Sequence, residues 1–262
     1  MSRKNGKNLE FTRGPSRLPR ANLLVVIKSA TSRNRRCRRQ LGVKKMAINF
    51  DFSTEVQEKI TAGHVRAHDE KFRVTTSKMT GKLAGIVGIS TNPLANPFCK
   101  SMQNVEGAVC QNCYSCRMLL SSRKSAITAW TANTVALSDD NLSDEMLPSI
   151  PDGAYVRFNP HGEITSEAMV RNFFRIARRN PTAHFVLFTK RYELVRRCAD
   201  EKPSNVALVA SAYHLNKPVD CVEGFDTVFR VFTPEYADSH GVKINCPLRC
   251  NDCKKCWSTD GG

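Results

Sequence analysis

Two stretches of the chain hold thiols at a spacing that suits metal chemistry. Cys110-Gln-Asn-Cys113-Tyr-Ser-Cys116 and Cys250-Asn-Asp-Cys253-Lys-Lys-Cys256 share the pattern C-x2-C-x2-C, with Cys99 and Cys246 upstream as obvious fourth members. Consecutive two-residue spacers let one loop wrap three corners of a cubane, while a fourth thiolate arrives from elsewhere. Four thiolates also satisfy a closed tetrahedral zinc site, although zinc knuckles are usually two C-x2-C pairs a dozen or more residues apart. The spacing therefore points to one or two [4Fe-4S] clusters per chain on Cys99, Cys110, Cys113, Cys116, Cys246, Cys250, Cys253 and Cys256, with zinc as the alternative. Each triplet could borrow its fourth ligand from the other group, and a shared metal would tie the C-terminal tail to residues far upstream. Cys37, Cys198 and Cys221 stand alone and read as buried or incidental thiols.

Cys246-Pro-Leu-Arg-Cys250-Asn-Asp-Cys253 also fits C-x3-C-x2-C, with which radical S-adenosylmethionine enzymes hold a cluster that has one open iron. Three departures count against an open iron here. The motif sits near the C-terminal end instead of after a first barrel strand, Asp252 stands where an aromatic is usual, and Cys256 is at hand to close the fourth iron. No reaction is assigned, and a radical or other redox enzyme stays as an alternative.

A second set of reactive groups, Arg157, His161, Glu163 and Lys190, depends on the elements that carry it. Short apolar segments at 154–158, 184–189, 205–210 and 227–232 predict strands, and they alternate with helices predicted at 166–179 and 192–199 or with Pro-marked loops. That alternation is the signature of parallel βαβ units. Further helices are predicted at 53–72 and, as one continuous run, at 118–137, while 75–97 reads as loops and short strands. Four such strands are too few for a closed eight-stranded barrel. The expected fold class is α/β: an incomplete or irregular (β/α) half-barrel with cysteine-rich metal-binding loops and a disordered basic N-terminal arm. Right-handed crossovers would set the strand C-termini, with Asn159, His161, Thr189 and Lys190, along one edge, where open α/β sheets bind ligands. There Arg157, His161, Glu163 and Lys190 could bind an anion or exchange protons. The plainer alternative is an Arg157–Glu163 ion pair that fixes a loop, with Lys190 capping a strand end.

Charge divides the chain unevenly. The 262 residues carry a net +16, yet residues 1–45 hold 14 Lys or Arg against Glu10, which is +13 and leaves +3 for the rest. Arg33, Arg35, Arg36, Arg38 and Arg39 crowd around Cys37, followed by Lys44 and Lys45. Such a density of cations suits nucleic-acid phosphates, DNA more than RNA, through non-specific electrostatics. No helix-turn-helix or finger pattern accompanies it. The arm lacks an apolar period and is broken by Gly14, Pro15 and Pro19, so 1–45 reads as disordered and 46–262 as the α/β iron–sulfur domain. Met46 opens MAINFDFSTEV, which looks like a protein start, so the arm reads either as a functional tail or as an upstream extension. Leu23 to Ile27 is too short for a secretory or membrane-spanning segment, so a soluble intracellular protein without a membrane partner is expected. At 41% apolar residues the body can bury a core of its own, and nothing fixes its oligomeric state.

The order of motifs resembles phage proteins of the gene product 88 family. The matching pieces are Cys110 to Cys116 with Tyr114, Arg157-Phe-Asn-Pro-His-Gly162-Glu163, Asn180-Pro181 through Phe188-Thr189-Lys190, and Cys246-Pro247 through Cys256-Trp257. The resemblance covers about residues 80 to 257 and leaves the arm unmatched. The resemblance implies a phage-encoded, metal-binding, iron–sulfur protein of the host cytoplasm, and it implies no reaction. The family usually has Ser-Gly-Asp where this chain has His161-Gly162-Glu163, and Tyr-Thr-Lys where it has Phe188-Thr189-Lys190, so an acidic group and a lysine remain at the strand ends. The expected function is a phage [4Fe-4S] protein that binds nucleic acid, its cluster structural or redox-sensing. The alternatives are a radical-type or other redox enzyme and a zinc-binding structural or adaptor protein.

Overall fold

The computed structural model describes residues 22–26 and 50–259. Arg33, Arg35, Arg36, Cys37, Arg38, Arg39, Lys44 and Lys45 lie outside the described residues. Among the described residues seven strands form one open sheet: β1 (Asn22–Val26), β2 (Ser77–Lys78), β3 (Val87–Ile89), β4 (Tyr155–Phe158), β5 (His184–Thr189), β6 (Val206–Ser211) and β7 (Thr227–Phe232). Their spatial order is β1-β7-β6-β5-β4-β3-β2. Strands β3 to β7 are parallel and lie side by side in chain order, with β2 antiparallel to β3 and β1 parallel to β7 at the far edge. Right-handed crossovers that always step in the same direction put their helices on one face of the sheet.

The helices are α1 (Thr54–Ala67), α2 (Pro97–Met102), α3 (Tyr114–Leu119), α4 (Ala126–Leu137), α5 (Glu167–Arg179), α6 (Tyr192–Arg197), α7 (Pro234–Ser239) and α8 (Cys250–Cys253). The period of two along each strand sorts the side chains between two cores. Val156, Phe158, Phe185, Leu187, Val206, Leu208 and Ala210 meet Leu137 of α4, Phe173 and Ile176 of α5 and Val195 of α6. Val186, Phe188, Ala207 and Val209 face the other way and pack with Ile86 and Trp257. The indole of Trp257 also donates to the Val156 carbonyl at 2.9 Å, so the C-terminal segment is the lid of the second face. Burial on both faces is why these strands are almost wholly apolar in sequence.

Helix α4 carries the loop that leaves β3. Its residues are buried nearly all round, and Gly63 lets α1 approach so closely that a Cβ there would fall 2.5 Å from Thr131. The buried polar groups of α4 serve as rivets. Thr131 Oγ1 accepts from Asn92 Nδ2 at 2.8 Å, Thr134 Oγ1 accepts from the Asn92 N–H at 2.8 Å, and Asn133 Nδ2 donates to the Ser90 carbonyl at 3.0 Å.

Several limits match the sequence expectation. Strands β5 and β7 keep their predicted ends, and α5 starts where Ser166 Oγ accepts from the Met169 N–H at 3.3 Å, an N-cap. Two expectations are corrected. The run predicted as one helix over 118–137 is split, because Ser121 Oγ donates back to the Arg117 carbonyl at 2.8 Å and the Arg123 N–H turns to Met118 O at 2.9 Å. Serine hydroxyls compete in this way with continued helix. Within the basic arm, Asn22–Val26 is a strand in register with Val228–Phe232. Edge strand β7 offers unpaired backbone groups, and the arm's apolar stretch satisfies them.

Replacing Trp257 with Ala is expected to lower the unfolding free energy by about 3–5 kcal/mol in urea titrations, the usual cost of deleting a buried aromatic. The same substitution should speed alkylation of Cys250 and Cys256 in the native protein, measured by mass spectrometry.

Candidate metal centres

The first thiol group lies in the connection from β3 to β4, at the C-terminal end of the first parallel strand. Cys99 sits in α2, whose N-cap Asn96 accepts from the Phe98 and Cys99 N–H groups at 3.0 and 3.4 Å. Asn96 Nδ2 in turn donates to the Glu163 carbonyl at 2.9 Å, linking this loop to the one that follows β4. Cys110 lies in the 3₁₀ turn Val109–Asn112, Cys113 precedes α3 and Cys116 lies within it. Cys116 is buried among Val56, Leu119, Ile127 and Trp130, and its Sγ accepts from Gln103 Nε2 at 3.0 Å.

The four thiols act on one another. Burial, then the negative charges of Glu163, Cys113 and Cys110, push Cys99 well above the ordinary thiol range. The Cys116 thiol donates to Cys113 and holds it below that range, while the same bond and burial raise Cys116. Burial raises Cys110, opposed by the charge and hydrogen bond of Lys190.

Cys246, Cys250, Cys253 and Cys256 line a second cleft together with Pro247, Arg249, Lys254, Lys255 and Trp257. Left-handed backbone at Leu248 (φ 59°) and Lys254 (φ 53°) folds this segment back on itself. Burial, then the charge of Cys250, pushes Cys256 up to about 12. Arg157 of β4 faces this group, and its charge opposes the rise at both Cys250 and Cys256, with Lys82 adding to it at Cys250. Arg157 Cζ stacks 4.1 Å from the Phe188 ring centroid, and its Nε is buried without a hydrogen-bond partner. Each triplet thus stands with its own upstream cysteine, and the C-terminal segment is tied to the sheet through Trp257. Among the described residues, no three His, Cys, Asp or Glu side chains converge as ligands of a single metal ion. Of the lone cysteines, Cys198 is buried and Cys221 exposed.

The expected polar edge is divided. Arg157 faces the second thiol group, and the suggested Arg157–Glu163 ion pair is not made. Glu163 is 6% exposed and belongs to the first group's side. It accepts from Thr189 Oγ1 at 2.6 Å, the Lys190 N–H at 2.9 Å and the Ile164 N–H at 3.0 Å, and burial still raises its pKa against these bonds and Lys190. His161 stacks on Trp130 with centroids 4.7 Å apart, and its Nδ1 lies 2.9 Å from Ser115 Oγ, between Cys113 and Cys116. Between them, Gly162 has φ +93°, and a Cβ there would fall 2.1 Å from Thr91 Oγ1. Only glycine fits that conformation and that approach.

The family model of Gene product 88 matches residues 52–259. This chain belongs to the Gene product 88 family. The Gene product 88 match takes in both thiol groups, His161-Gly162-Glu163 and Phe188-Thr189-Lys190, and leaves out the basic arm. No curated protein and no solved structure matches the chain. Among the described residues of this Gene product 88 chain, no helix is long and apolar enough to cross a membrane.

Asn159, which the sequence places on the strand-end edge, adopts φ 48°, as an Asn-Pro turn allows. Several other residues around the thiol groups of this Gene product 88 chain escaped the sequence reading. Ser115 and Trp130 have no local signal, because their role is to seat His161 from other elements. Gln103 reaches Cys116 across 13 residues, a spacing that no motif carries.

Burial, then the positive charges of Arg157 and Arg123, lowers the His161 pKa from 6.5 to about 4. Its neutral form is favoured in the folded chain, so its contribution is present above pH 6.5 and lost as the pH falls toward 4. Chemical denaturation across that window is expected to show a decline in stability that is shallower in His161→Phe.

Proposed function

We propose that this chain is an iron–sulfur protein with two [4Fe-4S] centres, one on Cys99, Cys110, Cys113 and Cys116 and one on Cys246, Cys250, Cys253 and Cys256. The observation that carries this reading is Arg157, a buried sheet-borne guanidinium that faces the Cys250 and Cys256 thiols and not a carboxylate, with its Nε lacking a hydrogen-bond partner. Cations away from water are stable only when offset. A four-thiolate cubane carries roughly two negative charges in its usual resting state, and nearby cations and N–H donors tune it. The surroundings of the two thiol groups support this reading. Lys190 stands by Cys110 and Gln103 donates to Cys116 at the first centre, as Arg157 stands by the second. When bound, each cluster supplies a one-electron redox couple and a cross-link. The chain's own residues hold it, exclude water through Trp130 and Trp257, and set the local field.

In the same reading β3 to β7 form a (β/α) half-barrel, and the first centre occupies the strand-end loops where such sheets place their chemistry. The basic arm then gives the protein a non-specific hold on nucleic acid, DNA before RNA, in the cytoplasm of a phage-infected host. Arg33, Arg35, Arg36, Arg38, Arg39, Lys44 and Lys45 supply the phosphate contacts. A second reading, a redox enzyme at the first centre, is favoured by Glu163 and Lys190 standing beside Cys99 and Cys110.

Anaerobic purification is expected to yield about eight iron and eight sulfide per chain, falling to about four when Cys250, Cys253 and Cys256 are replaced by Ala. Stoichiometric zinc without sulfide would reverse the assignment. Changing the seven arm cations to Gln, with Asn22–Val26 kept, should flatten the salt dependence of duplex-DNA binding, since each lost phosphate contact removes about 0.9 from the log–log slope. Release of 5′-deoxyadenosine and methionine from S-adenosylmethionine by the reduced protein would select the enzyme reading.

A further inference from the structure

We propose that the C-terminal ends of β3 and β4 form an oxyanion site, built by Ser90 and Asn159 with Arg157, that takes the carboxylate or phosphate group of a small molecule. Gly88 pairs with Arg157 and Ile89 with Phe158 across these two strands, and the Asn159 N–H donates to Ile89 O at 2.9 Å. Ser90 and Asn159 are therefore the next residues out on neighbouring strands. They are 2% and 4% exposed, and both Ser90 Oγ and Asn159 Nδ2 lack a hydrogen-bond partner. Arg157 Nε, two residues before Asn159 on the same strand, is also buried and unpartnered. These are three of the four such side-chain atoms among the described residues.

Native proteins satisfy nearly all buried polar groups, so three gathered at one place mark where something else is bound. The amide and guanidinium nitrogens are donors only, and the hydroxyl can donate as well, so their natural complement is a group that only accepts. The positive charge of Arg157 adds to that preference for an anion. The buried carboxylate of Glu163 is occupied by Thr189, Ile164 and Lys190. Asn159 holds its place at a cost. Its φ of 48° is one that Asn tolerates better than most residues, and its Oδ1 is fixed by Thr91 Oγ1 at 2.8 Å. Backbone held this way clusters at ligand sites. The location is also where open α/β sheets take their ligands. The site rests on the strand geometry of Ser90 and Asn159, while Arg157 also faces Cys250 and Cys256 and so shares its charge with that thiol group.

The experiment is calorimetric titration of the full, anaerobically isolated chain with inorganic phosphate and, separately, with acetate, in about 0.15 M salt to screen the arm. Wild type is expected to bind one of the two at a single site, and the one that binds tells phosphate from carboxylate. Asn159→Asp, which presents a carboxylate in place of the donor, should weaken binding at least tenfold. Ser90→Ala should weaken it several-fold and raise the Tm of the anion-free protein, because an unpartnered hydroxyl is gone. Iron and sulfide are measured on the same samples. Variants that lose anion binding at wild-type iron content support the site, whatever the metal assignment. No binding of either anion, unchanged binding in both variants, or loss of iron together with anion binding would overturn it.

Discussion

Trp257 buries its indole against Val186, Phe188, Ala207 and Val209 and hydrogen-bonds the backbone of β4, and much of the molecule depends on that contact. A parallel sheet must be covered on both faces, and here helices cover only one. The segment that holds Cys246 to Cys256 is therefore a structural layer as well as the carrier of four thiols. Its thiols face Arg157 because the ring beside them is seated on the neighbouring strands. Packing and candidate chemistry are inseparable in this part of the chain.

The first thiol group is positioned by different means. Its loop leaves β3 over the polar groups of α4, is linked by Asn96 to the backbone at Glu163, and is buttressed by His161 on Trp130. Buried hydrogen bonds of this kind are directional, so they fix where a loop runs more sharply than apolar contact can. Glu163 and Thr189 then lock the ends of β4 and β5 to each other, and Gly162 allows the close approach to Thr91 that this needs. The Gly-acidic pair in the sequence is thus a device for joining three successive strand ends.

The sequence was most legible where one residue type repeats at a short spacing. The two C-x2-C-x2-C runs, the apolar strands β5 to β7 and the helix over 166–179 could all be read locally, because their physical cause lies within a few residues. What was missed depends on the far side of a contact. Arg157 turns away from Glu163 because side chains alternate across β4, a fact that only the register settles. Short strands were expected over 75–97, but that β3 pairs between β2 and β4 is a matter of the sheet order. The break between α3 and α4 hinges on serine hydroxyls choosing backbone carbonyls, and β1 exists only because β7 presents an open edge.

The register of β1 bears on how the chain reaches its final form. Asn22 lies opposite Val228, so the first of the described strands has no partner until the last of the parallel strands has been made. The apolar second face likewise stays bare until residues beyond Cys246 appear. Pairings this remote in sequence form slowly, and a nascent chain with an uncovered sheet and free thiols is prone to aggregate and oxidise. Assembly of the sheet therefore waits on the segment from Cys246 to Trp257, which covers the second face.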